Sequence, residues 1–378
     1  MGKDIKRPMT TEETLQVTPP DQPEPLPFPY SQRTFCPYEP VEQRIESVRV
    51  LVVNCLLQDG RDLSDYARED WGATAESKLS RERDISCLAL DNIVNNVKRL
   101  VREPEARVVH LSELAEAARD FRPQAIVLSG TLTDFDYYDP QMLSRFARFV
   151  RGTRTPVLGI CGGHQLVGIC FGARCVTLDN AEPRERRQGR LFEYQYRFVR
   201  ITEPEDPIFR GINDRDTGVW QDYTTEGRVL RVWQNHGLML DRVPDGFQLL
   251  ATSYLCRNQM MVKRAGGQLI YTVQFHLEKS FQDLTSNLSR INPNLPPEER
   301  RRLLRQEAST RTNWAHPNES RDGRALFENF LRLALEHDPG EDVMDEERAA
   351  ELSFTIPQYP SAPAPERSAP GSRHETGM

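Results

Sequence analysis

The chain has 378 residues, of which 38% are apolar and 28% charged, with a formal net charge of -7. At about 100–200 residues per domain, that length holds one large domain with tails or two smaller ones. The acidic balance argues against a nucleic-acid binder, which carries a basic face, and no run approaches the ~20 apolar residues of a membrane span. The N-terminus, MGKDIKRPMTTEETLQ, lacks the apolar centre of a signal peptide. Its Met-Gly start is followed at the sixth position by Lys6, not the Ser or Thr of a myristoylation signal. The seven cysteines (Cys36, Cys55, Cys87, Cys161, Cys170, Cys175 and Cys256) are odd in number and scattered, and read as reduced thiols of a cytoplasmic protein.

Residues 1–46 are rich in Pro, Glu and Thr and read as an extended, partly disordered arm. Val48–Asn54 (VRVLVVN) is a nearly continuous apolar run, the pattern of a strand buried on both faces. Residues 82–101 place Ile85, Leu88, Ile93, Val97, Leu100 and Val101 at helical spacing. Arg107–Leu111 reads as a second strand, Leu114–Phe121 as a short helix, Ala125–Ser129 as a third strand, and residues 140–151 as a helix. Pro156–Ile160 is a fourth strand that ends at Cys161. This alternation predicts an α/β fold: a mostly parallel central sheet flanked by helices, with right-handed crossovers.

After Gly172 the short runs RCVTL, YRFVRI, RVLRVW, FQLLATSY and QLIYTVQF predict antiparallel additions to that sheet, the last delivering His276. Residues 281–320 form a polar insertion with a short helix, PPEERRRLLRQEAS, that starts on Pro and carries acids in its first turn. A closing helix, Gly323–His337, places Leu326, Phe327, Phe330, Leu331 and Ala334 on one face. The main domain is therefore expected over 47–337, followed by a disordered Pro-rich tail at 338–378.

Candidate chemistry centres on PVLGICGGHQLVGICFG, residues 156–172. A cysteine on a tight strand-to-helix turn is exposed to substrate, and small neighbours, here Gly162 and Gly163, give the turn its backbone freedom. The following helix N-terminus favours a thiolate. Alone, the pattern also describes a core cysteine beside a glycine turn. A partner pair lies near the end of LIYTVQFHLE: His276 and Glu278, at i and i+2, fall on one face of a strand, so Glu278 can orient the ring and stabilise its protonated form. Cys, His and Glu together meet the pattern for covalent acyl transfer through a thioester. Cys170 and Cys175 lack zinc-site spacing, and neither a phosphate loop nor a dinucleotide fingerprint is present, so no metal or cofactor is expected.

These motifs resemble the class I glutamine amidotransferase family. GICGGHQL is similar to its Gly-x-Cys-x-Gly-x-Gln, and QFHLE to its Gln-Phe-His-Pro-Glu. IVLSG at 126–130 is similar to the strand and loop before its oxyanion hole, WQNHG at 233–237 to the His-Gly segment of GMP synthase glutaminase domains, and GRALFENFL to its closing helix. The resemblance covers roughly residues 47–337. It implies a flavodoxin-like glutaminase fold in which Cys161 attacks the side-chain amide of L-glutamine, His276 moves the proton and Glu278 holds His276. It further implies oxyanion donors on Gly130 or Thr131 and on Gly162, contact of Gln165 with the bound glutamine, and His236 at the mouth of the site. The ammonia would go to a separate synthetase. Two departures stand out: Gly130-Thr131-Leu132 replaces the family's Gly-Gly-Pro, where Thr resists positive φ, and Leu277 replaces the proline between His and Glu. A γ-glutamyl hydrolase or peptidase using the same triad, and a non-catalytic binding relative, are the competing readings.

Overall fold

The computed structural model describes residues 42–212, 229–279 and 321–338. Most of the N-terminal arm, the insertion at 281–320 with its helix, and all but the first residue of the C-terminal tail lie outside the described residues.

Eleven strands are present among the described residues, nine of them in one sheet of order β2-β1-β3-β4-β11-β10-β9-β6-β7. Strands β1 (Ile45–Asn54), β2 (Val101–His110), β3 (Ala125–Leu128), β4 (Val157–Ile160) and β11 (Ile270–Val273) run parallel. β10 (Met260–Lys263), β9 (Gln248–Thr252), β6 (Glu193–Ile201) and β7 (Val229–His236) extend the sheet antiparallel. The predicted α/β class, with a parallel centre and antiparallel additions, is the observed one.

Burial on both faces explains the unbroken apolar run of β1, whose side chains alternate between two cores. Val48, Val50 and Val52 pack with Ile93 and Val97 of α2 (Ala75–Leu100) and with Leu326, Phe327 and Phe330 of α6 (Arg321–Glu336). Leu51 and Val53 face the other way, toward Leu114 of α3 (Leu114–Phe121), Met142 and Phe146 of α4 (Pro140–Gly152) and Leu166 of α5 (Gly162–Cys170). Helix starts follow local chemistry: Asp139 caps α4 by accepting from the Met142 N–H at 2.8 Å, with Pro140 at the first helical position.

Several elements differ from the sequence pattern. A short helix, α1 (Asp65–Trp71), precedes α2, and α2 begins seven residues earlier than the periodicity of 82–101 marks. It ends at Leu100 because Val101 already belongs to β2. Strands β10 and β8 (Leu238–Leu240) are additions that the sequence pattern does not mark. The run RCVTL forms β5 (Cys175–Thr177), but β5 pairs with β8 in a separate two-stranded ribbon rather than joining the main sheet. The reason is that α5 is buried along its whole length. The sheet covers one side, and the ribbon covers another so closely that a Cβ on Gly168 would run into the Leu240 side chain. Among the described residues no helix is long and apolar enough to cross a membrane.

Candidate active site

β4 ends at Ile160 and the chain turns into α5 at Cys161, whose φ of 51 and ψ of -104 mark a strained elbow. The left-handed conformation therefore falls on the cysteine itself. Gly162 and Gly163 do not adopt positive φ, so close approach, not the conformational freedom expected from the sequence, demands glycine there. A Cβ on Gly163 would lie 2.8 Å from Leu128 Cβ and 3.0 Å from the Leu128 and Ser129 carbonyls. One on Gly162 would lie 2.5 Å from the Thr131 nitrogen. The elbow is pinned on both sides, since Cys161 N–H donates to Val273 at 2.8 Å and Gly163 N–H to Ser129 at 3.1 Å.

His276 does not sit on a regular strand. β11 stops at Val273, and His276 follows in a bend, held by a single bridge to Trp233 in which its N–H donates at 2.8 Å. The ring still meets Glu278, with Nδ1 2.7 Å from Oε1, and the pair is 10% and 3% exposed. Two helices anchor the segment: Asn96 Nδ2 of α2 donates to the Glu278 carbonyl at 2.8 Å, and Gly323 of α6 lies against Leu277 so tightly that a Cβ would come 2.6 Å from its carbonyl. Leu277 is itself buried in the α2/α6 core, so packing replaces the missing proline as the rigid spacer.

Cys161 and His276 converge on Gly130. A Cβ built there would be 3.3 Å from His276 Cε1 and 3.5 Å from Cys161 Cβ. The sequence placed these residues 115 positions apart; adjacent parallel strands β4 and β11 bring them together. Thr131 follows with its nitrogen beside Gly162, and it is not among the described non-glycine residues with positive φ. The Thr substitution is thus tolerated without strain.

Burial sets the resting charges. It pushes the Cys161 thiol up to about 12, with Glu278 adding to the effect, while the Gly162 N–H and Gln274 amide pull the other way. Burial also lowers His276 against the opposing pull of Glu278. Glu278 is raised by burial but held low, on balance, by His276. The helix N-terminus acts in the expected direction, but desolvation opposes it more strongly, so burial works against the thiolate expected from the elbow.

The loop after Thr131 is clamped by residues that the motifs did not single out. Thr133 hydrogen-bonds Glu82 of α2. Asp134 accepts from Arg190 at 2.8 and 2.9 Å and from Arg187 at 3.0 Å, and Asp136 accepts from Arg184 at 2.6 Å and also pairs with Arg187. The Arg187 guanidinium stacks 4.3 Å from the Tyr137 ring centre. No sequence periodicity marks this network, because it joins segments about fifty residues apart.

The remaining sequence candidates are buried. Gln165 is 4% exposed and its Nε2 donates to the Leu238 carbonyl at 2.9 Å and to Gln274 Oε1 at 3.0 Å. His236 ends β7 with Nδ1 2.9 Å from the Leu238 carbonyl and Nε2 3.1 Å from buried Glu193. Beside them, His164 of α5 lies 2.8 Å from Thr272 Oγ1, and burial drives it down to about 3. Among the described residues no group of three or more His, Cys, Asp or Glu is arranged to hold a metal ion.

A sequence model of glutamine amidotransferase class-I matches residues 88–290, more than half of the chain. GMP synthase [glutamine-hydrolyzing] of Ralstonia pickettii (strain 12J) is 32% identical over 186 residues, covering 48% of this chain and 30% of that protein. The protein of the same name from Cupriavidus pinatubonensis is 31% identical over 185 residues, with the same coverage. The chain thus spans under a third of the length of these relatives. Among solved structures, a glutamine amidotransferase from Thermotoga maritima aligns with a TM-score of 0.44 at 17% identity over 76% of this chain and 98% of that one. A glutamine amido transferase from Methylobacillus flagellatus aligns at 0.42 and 14%, over 79% and 100%. From the span of the family match, the chain belongs to the class I glutamine amidotransferase family.

Proposed function

We propose that the protein hydrolyses the side-chain amide of L-glutamine through Cys161, His276 and Glu278 and passes the ammonia to a separate synthetase. The observation that carries this reading is the 2.7 Å contact between His276 Nδ1 and Glu278 Oε1 in a ring whose Cε1 edge closes on Gly130 beside Cys161. With Nδ1 held by the carboxylate, Nε2 is the ring atom for the thiol proton. The sulfur attacks the amide carbon as its proton passes to His276. The N–H groups of Thr131 and Gly162 meet the oxyanion, each worth about 3–4 kcal/mol where such donors have been removed. His276 then protonates the departing ammonia and leaves a thioester on Cys161. Water attacks that thioester with its proton going to His276, and glutamate is released with the thiol restored. The name of the relatives, GMP synthase [glutamine-hydrolyzing], supports a synthetase as the user of that ammonia.

The test is ammonia release from glutamine by the purified chain, alone and with candidate synthetases, together with trapping of Cys161 by a glutamine-like diazoketone. Activity lost in Cys161→Ala is expected. Absence of both ammonia and trapping under every condition overturns the proposal, and preference for γ-glutamyl conjugates over glutamine would move the substrate to that class.

A further inference from the structure

A chain of buried amides lies behind the nucleophile. Gln165, in the first turn of α5, and Gln274, just beyond β11, are 4% and 0% exposed. Gln165 Nε2 donates to the Leu238 carbonyl at 2.9 Å and to Gln274 Oε1 at 3.0 Å, and Gln274 Nε2 lies 3.7 Å from Cys161 Sγ. The Gln274 main chain is fixed as well, its N–H donating to the Gln259 carbonyl at 2.8 Å.

The direction of this chain follows from its first member. A main-chain carbonyl only accepts, so the end of Gln165 that faces Leu238 is its NH2. The same nitrogen faces Gln274, which must answer with its oxygen. Turning Gln274 over would set two NH2 groups against each other and aim a carbonyl oxygen at the sulfur. The relay therefore runs one way and ends on an N–H donor at the reacting atom. A donor there favours the thiolate over the thiol, which matters at a site where burial opposes ionisation.

We propose that Gln274 is a catalytic residue that donates to the Cys161 sulfur as it becomes anionic, and that Gln165 is a positioning residue that sets the orientation of Gln274. The role of Gln165 is then exerted through its neighbour, in addition to any contact of its oxygen with substrate. The inference rests on Cys161 as the nucleophile but not on the identity of the substrate.

The experiment is the pH profile of Cys161 alkylation by iodoacetamide, read on the Cys161 peptide by mass spectrometry in the full chain. Gln274→Met keeps the length and removes the donor. It is expected to move the profile to higher pH and to slow alkylation at pH 7.5 about tenfold, the size of a hydrogen bond to a charged group. Gln165→Met leaves Gln274 in place but free to turn, and is expected to shift the profile in the same direction by less; it keeps the test open if Gln274→Met does not fold. The double variant should shift no further than Gln274→Met. An unchanged profile in a folded Gln274→Met, or additive shifts in the double variant, overturns the proposal. A merely structural role would lower the melting temperature without moving the profile. Because alkylation needs no glutamine, a shifted profile in a protein that releases no ammonia would retain the relay and discard glutamine hydrolysis.

Discussion

Replacing Glu82 by Gln removes a charge from beneath the loop that carries Thr131. Glu82 is 1% exposed, accepts from the Leu57 N–H at 3.3 Å and hydrogen-bonds Thr133. Burial raises its carboxyl from 4.5 to about 7, with Thr133, Leu57 and Arg81 pulling down. A folded-state value above the unfolded one means that the native protein binds the proton more tightly. Stability is then full below the unfolded value of 4.5, falls as pH rises, and is fully lost above about 7. At about 1.4 kcal/mol per pH unit, the loss amounts to about 3 kcal/mol. Gln keeps the shape, can accept from Leu57 through its oxygen and can donate to the Thr133 hydroxyl through its nitrogen. Urea unfolding at pH 5 and pH 8 is the assay. Glu82→Gln should exceed the wild type by roughly 2–3 kcal/mol at pH 8 and by no more than about 1 kcal/mol at pH 5. A gap of equal size at both pH values, or a variant less stable at pH 8, refutes the account of Glu82 as a buried charge.

Gly162→Ala should reduce the proposed glutamine hydrolysis by about 10²-fold or more, because the new methyl meets the Thr131 nitrogen at 2.5 Å and would displace a proposed oxyanion donor; steady-state kinetics beside a melting curve separates this from unfolding. Glu278→Gln presents an amide to His276 Nδ1 and favours the wrong tautomer, so kcat should fall about 10²–10⁴-fold with the fold intact by circular dichroism. Phe330→Ala empties a fully buried position in the α2/α6 core, where the ring also packs edge-on to Tyr271 at 6.4 Å. It should cost about 3–5 kcal/mol in denaturant unfolding.

Much of this architecture is legible in the linear chain. β1, β3 and β4 stand out because a parallel strand covered by helices on both faces must be apolar at nearly every position. The Cys161 elbow is legible because a strand end, a cysteine and two small residues are contiguous, and His276 and Glu278 because they are two residues apart. Legibility fails where local signals conflict. Val101 continues the apolar periodicity of α2 yet begins β2, and β8 and β10 are too short, at three and four residues, to show a period. The ribbon of β5 and β8 depends on how the side of α5 turned away from the sheet is covered, which no local pattern states.

The sequence alone determined the fold class, the strand-to-helix elbow and the identity of the three candidate catalytic side chains, since each of these is written in contiguous or nearly contiguous residues. Only the tertiary structure decided the environment of those side chains. It put Gln165 and Gln274, 109 positions apart, into one hydrogen-bonded relay, and Glu82 under Thr133, 51 positions away. It also set the Cys161 thiol against its own ionisation. Desolvation and hydrogen-bond direction depend on every atom that surrounds a group, and those atoms come from the whole chain.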